Sequence, residues 1–86
     1  MKAWVYILHC ADGSYYTGQT TNLELRIAQH QAGEGSKWTK RRLPVKLVFS
    51  QEMPDKDQAF LAEQQVKKWS RAKKEALIAG DWGMLQ

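Results

Sequence analysis

The carboxylate of Glu63 falls inside the apolar stripe of a helix-forming segment, where Ala59, Ala62 and Val66 recur at helical spacing with Phe60 and Trp69 beside them. Burying an ionised carboxylate is costly unless it is paired or bound to a metal. Two readings therefore stand: a hard oxygen ligand for a cation, or an edge glutamate paired with Lys67 one turn later. Arg26 and His30 lie at i and i+4 on an earlier segment, next to the ridge of Leu23 and Ile27. One surface then offers a fixed cation and an imidazole able to move a proton, and two solvated side chains would show the same spacing. Tyr6 and Tyr16 add phenols on strand-like segments. Gly18 follows, a residue disfavoured inside strands unless another group approaches closely.

These side chains need a frame to hold them. Ala3 to Cys10 reads as a central strand, apolar on both parities, and Ser14 to Thr20 as its hairpin partner across the Ala11-Asp12-Gly13 turn. Thr21 and Glu24 have capping-box spacing, which predicts a helix from Asn22 to about Ala32, ended by Gly33. Gly35 to Leu43 reads as a loop, and Pro44 precedes a third strand, Val45 to Gln51, with Val45, Leu47 and Phe49 on one parity. Pro54 and Asp55 open a second helix, and Ser70 caps a third that ends at Gly80. The order ββαβαα predicts an α+β fold, a three-stranded antiparallel sheet with flanking helices.

A chain of 86 residues fits one domain, read here as 1–86 with a core over about 3–80 and a short C-terminal tail, so any active site must share residues with the core. A single cysteine, Cys10, excludes an internal disulfide framework and a cysteine-based zinc site, which suits a reducing cytoplasm. Trp4 to Leu8, the longest apolar run, is too short to cross a bilayer, so membrane spanning is not expected. A formal charge of +4 favours an anionic partner.

Trp4-Val5-Tyr6, then Tyr16-Thr17-Gly18, then the helix carrying Arg26 and His30, and finally Glu63 form an ordered series that resembles the GIY-YIG nuclease superfamily over about residues 3 to 80. Thr39 through Leu47 and the ending around Trp69-Ser70-Arg71 are most similar to its small stand-alone bacterial YhbQ-like members. The first tripeptide reads Trp-Val-Tyr and the second Tyr-Thr-Gly, which keeps both phenols and the glycine. Many catalytic relatives carry an asparagine late in the domain, whereas the one asparagine here is Asn22. The resemblance implies Tyr6, Tyr16, Arg26, His30 and Glu63 as catalytic residues, Gly18 as structural, and Glu63 as the metal ligand.

The implied chemistry is hydrolysis of a DNA phosphodiester, selective for structure more than for sequence because no base-reading motif is visible. One carboxylate fits a hydrated Mg²⁺ or Mn²⁺ better than a caged Ca²⁺ or Zn²⁺. Arg26 would fork onto the non-bridging oxygens, and a phenol would act as general base, either Tyr6 or Tyr16, with His30 as a possible proton relay. Lys37, Trp38, Lys40, Arg41 and Arg42 would grip branched, nicked or single-stranded DNA, Trp38 by stacking on a base or else folded back on the core. Two other classes remain, a nucleic-acid-binding module with a decayed site and a subunit that needs a protein partner. The hairpin turn decides whether the phenols share a site. A two-residue turn at Asp12-Gly13 separates them, whereas a three-residue loop with left-handed Gly13 pairs Cys10 with Ser14, Leu8 with Tyr16 and Tyr6 with Gly18. The second register assembles the chemistry and is the one expected.

Overall fold

The computed structural model describes residues 1–80. Its elements run β1 (Ala3–Cys10), β2 (Tyr15–Thr20), α1 (Leu23–Gln31), α2 (Lys37–Lys40), β3 (Val45–Met53), α3 (Lys56–Lys67) and α4 (Arg71–Ala79). The three strands form one antiparallel sheet in the order β2-β1-β3. β1 is central and covered on both faces because its side chains are apolar on both parities.

The turn between β1 and β2 takes the three-residue form. Gly13 has φ +87°, the Cys10 amide donates to the Ser14 carbonyl at 2.9 Å, and Tyr6 stands opposite Gly18 with Leu8 opposite Tyr16. Tyr6, Leu8 and Cys10 pack on one face with Tyr16, Leu43, Leu47 and the α1 residues Leu23 and Ile27. Ile7 packs on the other with Val66 of α3 and Leu77 of α4. Two small cores thus back a single sheet, and each fixes the helices on its own side.

Four sequence expectations change in detail. Asn22, not Thr21, caps α1, its side chain accepting from the Leu25 amide at 3.2 Å; Thr20 and Asn22 are bonded to each other, which sets the chain's entry. The segment 35–43 is not all loop, since Ser36 caps the helical turn α2. β3 extends two residues beyond Gln51, to Met53. A register shift against Ile7 and Leu8 in β1 breaks the alternation of β3, so Leu47 joins the first core while Val48 and Phe49 join the second. The caps expected at Asp55 and Ser70, and the left-handed end at Gly80, are present.

Candidate active site

The register places both site tyrosines on the face that α1 covers. Their rings lie 6.5 Å apart, and the His30 ring sits 5.8 Å from Tyr6 and 5.2 Å from Tyr16. His30 and Tyr6 are both completely buried. The two polar tips meet: Tyr6 Oη and His30 Nε2 are 2.8 Å apart. Gly18 makes this possible, because a Cβ at that position would fall 2.5 Å from Tyr6 Oη. Gly35 serves His30 in the same way, since a Cβ there would run into the imidazole.

The other imidazole nitrogen, Nδ1, lies 2.9 Å from Thr39 Oγ1. Thr39 is also fully buried, on α2, and its hydroxyl lies 3.3 Å from the Ser36 carbonyl and 2.9 Å from Ser36 Oγ. A carbonyl can only accept, so one assignment satisfies all these contacts. Thr39 donates to the Ser36 carbonyl and accepts from Nδ1–H of His30. Nε2 is then left with a lone pair facing the Tyr6 hydroxyl, which donates to it. Desolvation lowers the pKa of His30 below its ordinary value, and the positive charge of Arg26 lowers it further, so the imidazole is held neutral near pH 7. Burial pushes the Tyr6 hydroxyl up to about 12, an effect that Tyr16 and Glu63 reinforce and that Arg26 opposes by charge and hydrogen bonding.

Arg26, on α1, is half-buried and reaches an open groove of about 370 Å³ between the start of α1, the end of β2 and the first turns of α3, where Lys56, Asp57 and Phe60 stand. Glu63 is 9% exposed and lies one turn beyond Phe60. Gln64 Nε2 donates to its Oε1 at 2.9 Å, and the Lys67 ammonium lies 3.8 Å from the same oxygen. The alternative ion pair is therefore present, with a half-exposed cation at long range, where such pairs contribute little. Both contacts use Oε1, so Oε2 is without a side-chain partner among the described residues.

No cluster of three or more His, Cys, Asp or Glu side chains exists among the described residues. A metal held by protein ligands alone, such as zinc, does not fit. A magnesium-type ion that keeps most of its water does, with Oε2 of Glu63 as the one carboxylate ligand.

The basic segment divides. Arg42 donates to Asp12 Oδ2 at 3.0 Å and to the Trp38 carbonyl at 2.9 Å, and its guanidinium lies 3.9 Å over the Trp38 ring. Trp38 in turn stacks on Tyr16, with 5.8 Å between centroids and 29° between planes. Its ring is folded back on the site, as the second reading of that residue had it. Lys37, Lys40 and Arg41 are exposed and line one shallow surface depression.

Thr39, Ser36 and Gly35 are not among the site residues expected from the sequence, where the charges of that segment dominate its pattern. The signal was there: Ser36 and Thr39 have N-cap spacing, and a buried histidine needs a partner for its second nitrogen.

The three-stranded β2-β1-β3 sheet and its helices lie within residues 2–76, the stretch matched by the family model of the GIY-YIG catalytic domain, save for the end of α4. The chain belongs to that family. Within it, the sequence is 50% identical over 80 residues to a UPF0213 protein of Natronomonas pharaonis, covering 93% of this chain and 94% of that one. It is 49% identical over 77 residues to a UPF0213 protein of Streptococcus sanguinis, covering 90% and 88%. The solution structure of the UPF0213 protein BH0048 from Bacillus halodurans shares the fold, with a TM-score of 0.60 at 47% identity, over 92% of this chain and 84% of that one. The solution structure of EF2693 from E. faecalis superposes with a TM-score of 0.63 at 36% identity, over 93% and 85%.

Proposed function

We propose that this chain is a divalent-metal-dependent endonuclease that hydrolyses DNA phosphodiester bonds, with Tyr6 and His30 as its proton-transfer pair. The observation that carries the reading is the buried Tyr6–His30 hydrogen bond, whose imidazole is held neutral by burial and by the charge of Arg26 and is oriented from behind by Thr39. A phenol with a raised pKa is a poor base by itself at neutral pH. Coupled to a neutral imidazole it becomes a relay. Tyr6 Oη is buried, so the relay requires substrate binding to admit a water beside it. That water then gives its proton to Tyr6 Oη while the Tyr6 proton passes to His30 Nε2. The water oxygen bonds to phosphorus, the ester P–O bond breaks, and the leaving alkoxide takes a proton from solvent. The imidazolium that results keeps its Nδ1–H bond to Thr39 and returns its proton to solvent after product leaves.

Arg26 faces the groove and meets the charge that builds on the non-bridging oxygens. Oε2 of Glu63 is the group that would hold a Mg²⁺ or Mn²⁺ ion, with water completing the shell. When bound, such an ion neutralises charge on the leaving alkoxide. Lys37, Lys40 and Arg41 supply sequence-independent attraction to the DNA backbone. No base-reading motif is visible in the sequence, which supports selectivity for DNA structure.

A cleavage screen over single-stranded, nicked, flapped and branched DNA with Mg²⁺ or Mn²⁺ tests the reading, with Glu63→Ala as control. Metal-dependent cleavage that Glu63→Ala abolishes is the expected result. Cleavage in excess chelator, or unchanged in Glu63→Ala, would overturn it. Metal-independent binding with no cleavage of any substrate would leave a nucleic-acid-binding module.

A further inference from the structure

We infer that Phe60 is a stacking platform for an unpaired nucleobase beside the scissile phosphate, so that the substrate class is DNA with a locally opened or single-stranded segment. This rests on the nuclease reading for the position of the phosphate. On α3 the residues Ala59, Glu63 and Val66 turn inward, while Phe60 is left 50% exposed. A single exposed apolar side chain is ordinary on a protein surface. The surroundings of Phe60 are not ordinary. It lines the groove that Arg26 enters, and it lies three residues before Glu63, on a neighbouring part of the same helix face. A phosphate held between Arg26 and Glu63 would put an adjacent base within reach of the ring.

Phe60 and Trp38 are the only exposed aromatic side chains among the described residues. Trp38 is already engaged by Tyr16 and by the Arg42 guanidinium. Phe60 makes no aromatic or cation–π contact among the described residues, so its ring is the one open to a new partner. Gln19, Thr21 and Asp57 line the same groove and can hydrogen-bond to base edges without forming a fixed code. Lys56 adds a cation for a neighbouring phosphate. An aromatic face with a cation beside it is how proteins hold single strands of any sequence. In an intact duplex every base is stacked between its neighbours, so the ring would gain a base only where pairing or stacking is already broken.

The test measures binding in chelator, where the proposed cleavage is suspended, to single-stranded, flapped and fully duplex oligonucleotides that carry 2-aminopurine. The wild-type chain should quench 2-aminopurine in the first two. Phe60→Ala should lose the quenching and weaken those complexes about tenfold, as expected for one lost base stack, while leaving duplex affinity unchanged. Phe60→Tyr should behave as wild type and Phe60→Leu as Phe60→Ala, because a leucine restores apolar area and no π-face. Equal effects on duplex and unpaired DNA, no effect of Phe60→Ala, or full rescue by leucine would each overturn the proposal. The same oligonucleotides with Mg²⁺ separate the two claims. Cleavage that does not depend on Phe60 retains the nuclease and removes the platform. Phe60-dependent stacking without cleavage does the reverse, and a wild-type chain that binds none of the DNAs overturns both.

Discussion

Tyr6 and Gly18 face each other across β1 and β2, and the phenol of the first occupies the space a Cβ on the second would need. Gly18→Ala must therefore displace the ring or the strand. Overpacking of this kind costs about 1–3 kcal/mol, measurable by urea unfolding. The larger effect should be on activity, because the side chain forced to move is the one bonded to His30. Cleavage should fall well beyond what the loss of folded protein explains. Full activity in a folded Gly18→Ala variant would show that the position of Tyr6 is not critical.

Thr39 should act through His30. Thr39→Val keeps the shape and leaves the Nδ1–H of a fully buried imidazole without its acceptor, a loss of about 1–3 kcal/mol. With the tautomer no longer fixed, cleavage should drop, and Thr39→Ser should restore both stability and rate. A valine variant that cleaves as fast as wild type would remove Thr39 from the relay.

The lowered pKa of His30 has a definite sign in both stability and rate. The folded state prefers the neutral imidazole, so the unfolded chain binds the extra proton first as pH falls. The stability linked to His30 is complete above the ordinary imidazole pKa of about 6.5 and declines below it. Thermal unfolding at about pH 7.5 and 5.5 should show a larger acid loss in wild type than in His30→Gln. Cleavage should rise with pH to a plateau, with a midpoint below the ordinary imidazole value, since the neutral form is the proton acceptor. A rate that still rises steeply above pH 8 would assign the base to another group.

The sequence carried much of this site, and the reasons are local. The hairpin register was legible because Gly13 can adopt the left-handed conformation that the three-residue loop needs, and because a slip would have parted Tyr6 from Tyr16. Glu63 stood out because a carboxylate among Ala59, Ala62 and Val66 breaks an otherwise apolar pattern. The bulge in β3 was not legible. Val45 to Phe49 reads as a regular alternation, and only the pairing with β1 shows where the extra residue goes. The α2 turn was hidden for a related reason. Four residues are too few for a periodic signal, and the function of Thr39 depends on a histidine nine positions away. Phe60 flanks the inward stripe in the sequence and proves half-exposed, a degree of exposure that periodicity alone does not resolve.

Arg26 should be worth more to the reaction than to binding. Its guanidinium faces the groove and is not otherwise committed to an ion pair among the described residues. Charge on the phosphoryl oxygens grows in the transition state, so Arg26→Ala should lower kcat by about 10²–10³-fold, the range for losing one such donor, with a much smaller change in Kd. A second effect follows from its charge. Arg26 holds the His30 pKa down, so the variant's residual activity should reach its plateau at a higher pH than wild type. Equal losses in kcat and affinity, with no shift of the profile, would reduce Arg26 to a phosphate anchor.

The basic segment makes the last prediction, because the structure gives its cations different work. Lys40 and Arg41 are exposed and have no ion-pair partner among the described residues, whereas Arg42 is tied to Asp12 and to the Trp38 carbonyl and covers the Trp38 ring. Cations that neutralise phosphates release counterions, and each contributes close to one unit to the slope of log K against log salt on duplex DNA. Lys40→Ala with Arg41→Ala should therefore flatten that slope by about two units and weaken binding to all sequences alike. Arg42→Ala should change the slope little. Its effect should appear in the unfolding curve, as a loss of about 1 kcal/mol from a part-exposed ion pair and its hydrogen bonds, and in cleavage, because Trp38 and Tyr16 rest on it in turn. A slope that falls with Arg42→Ala and not with the Lys40 and Arg41 pair would reverse the assignment and place the DNA on the Asp12 side of the loop.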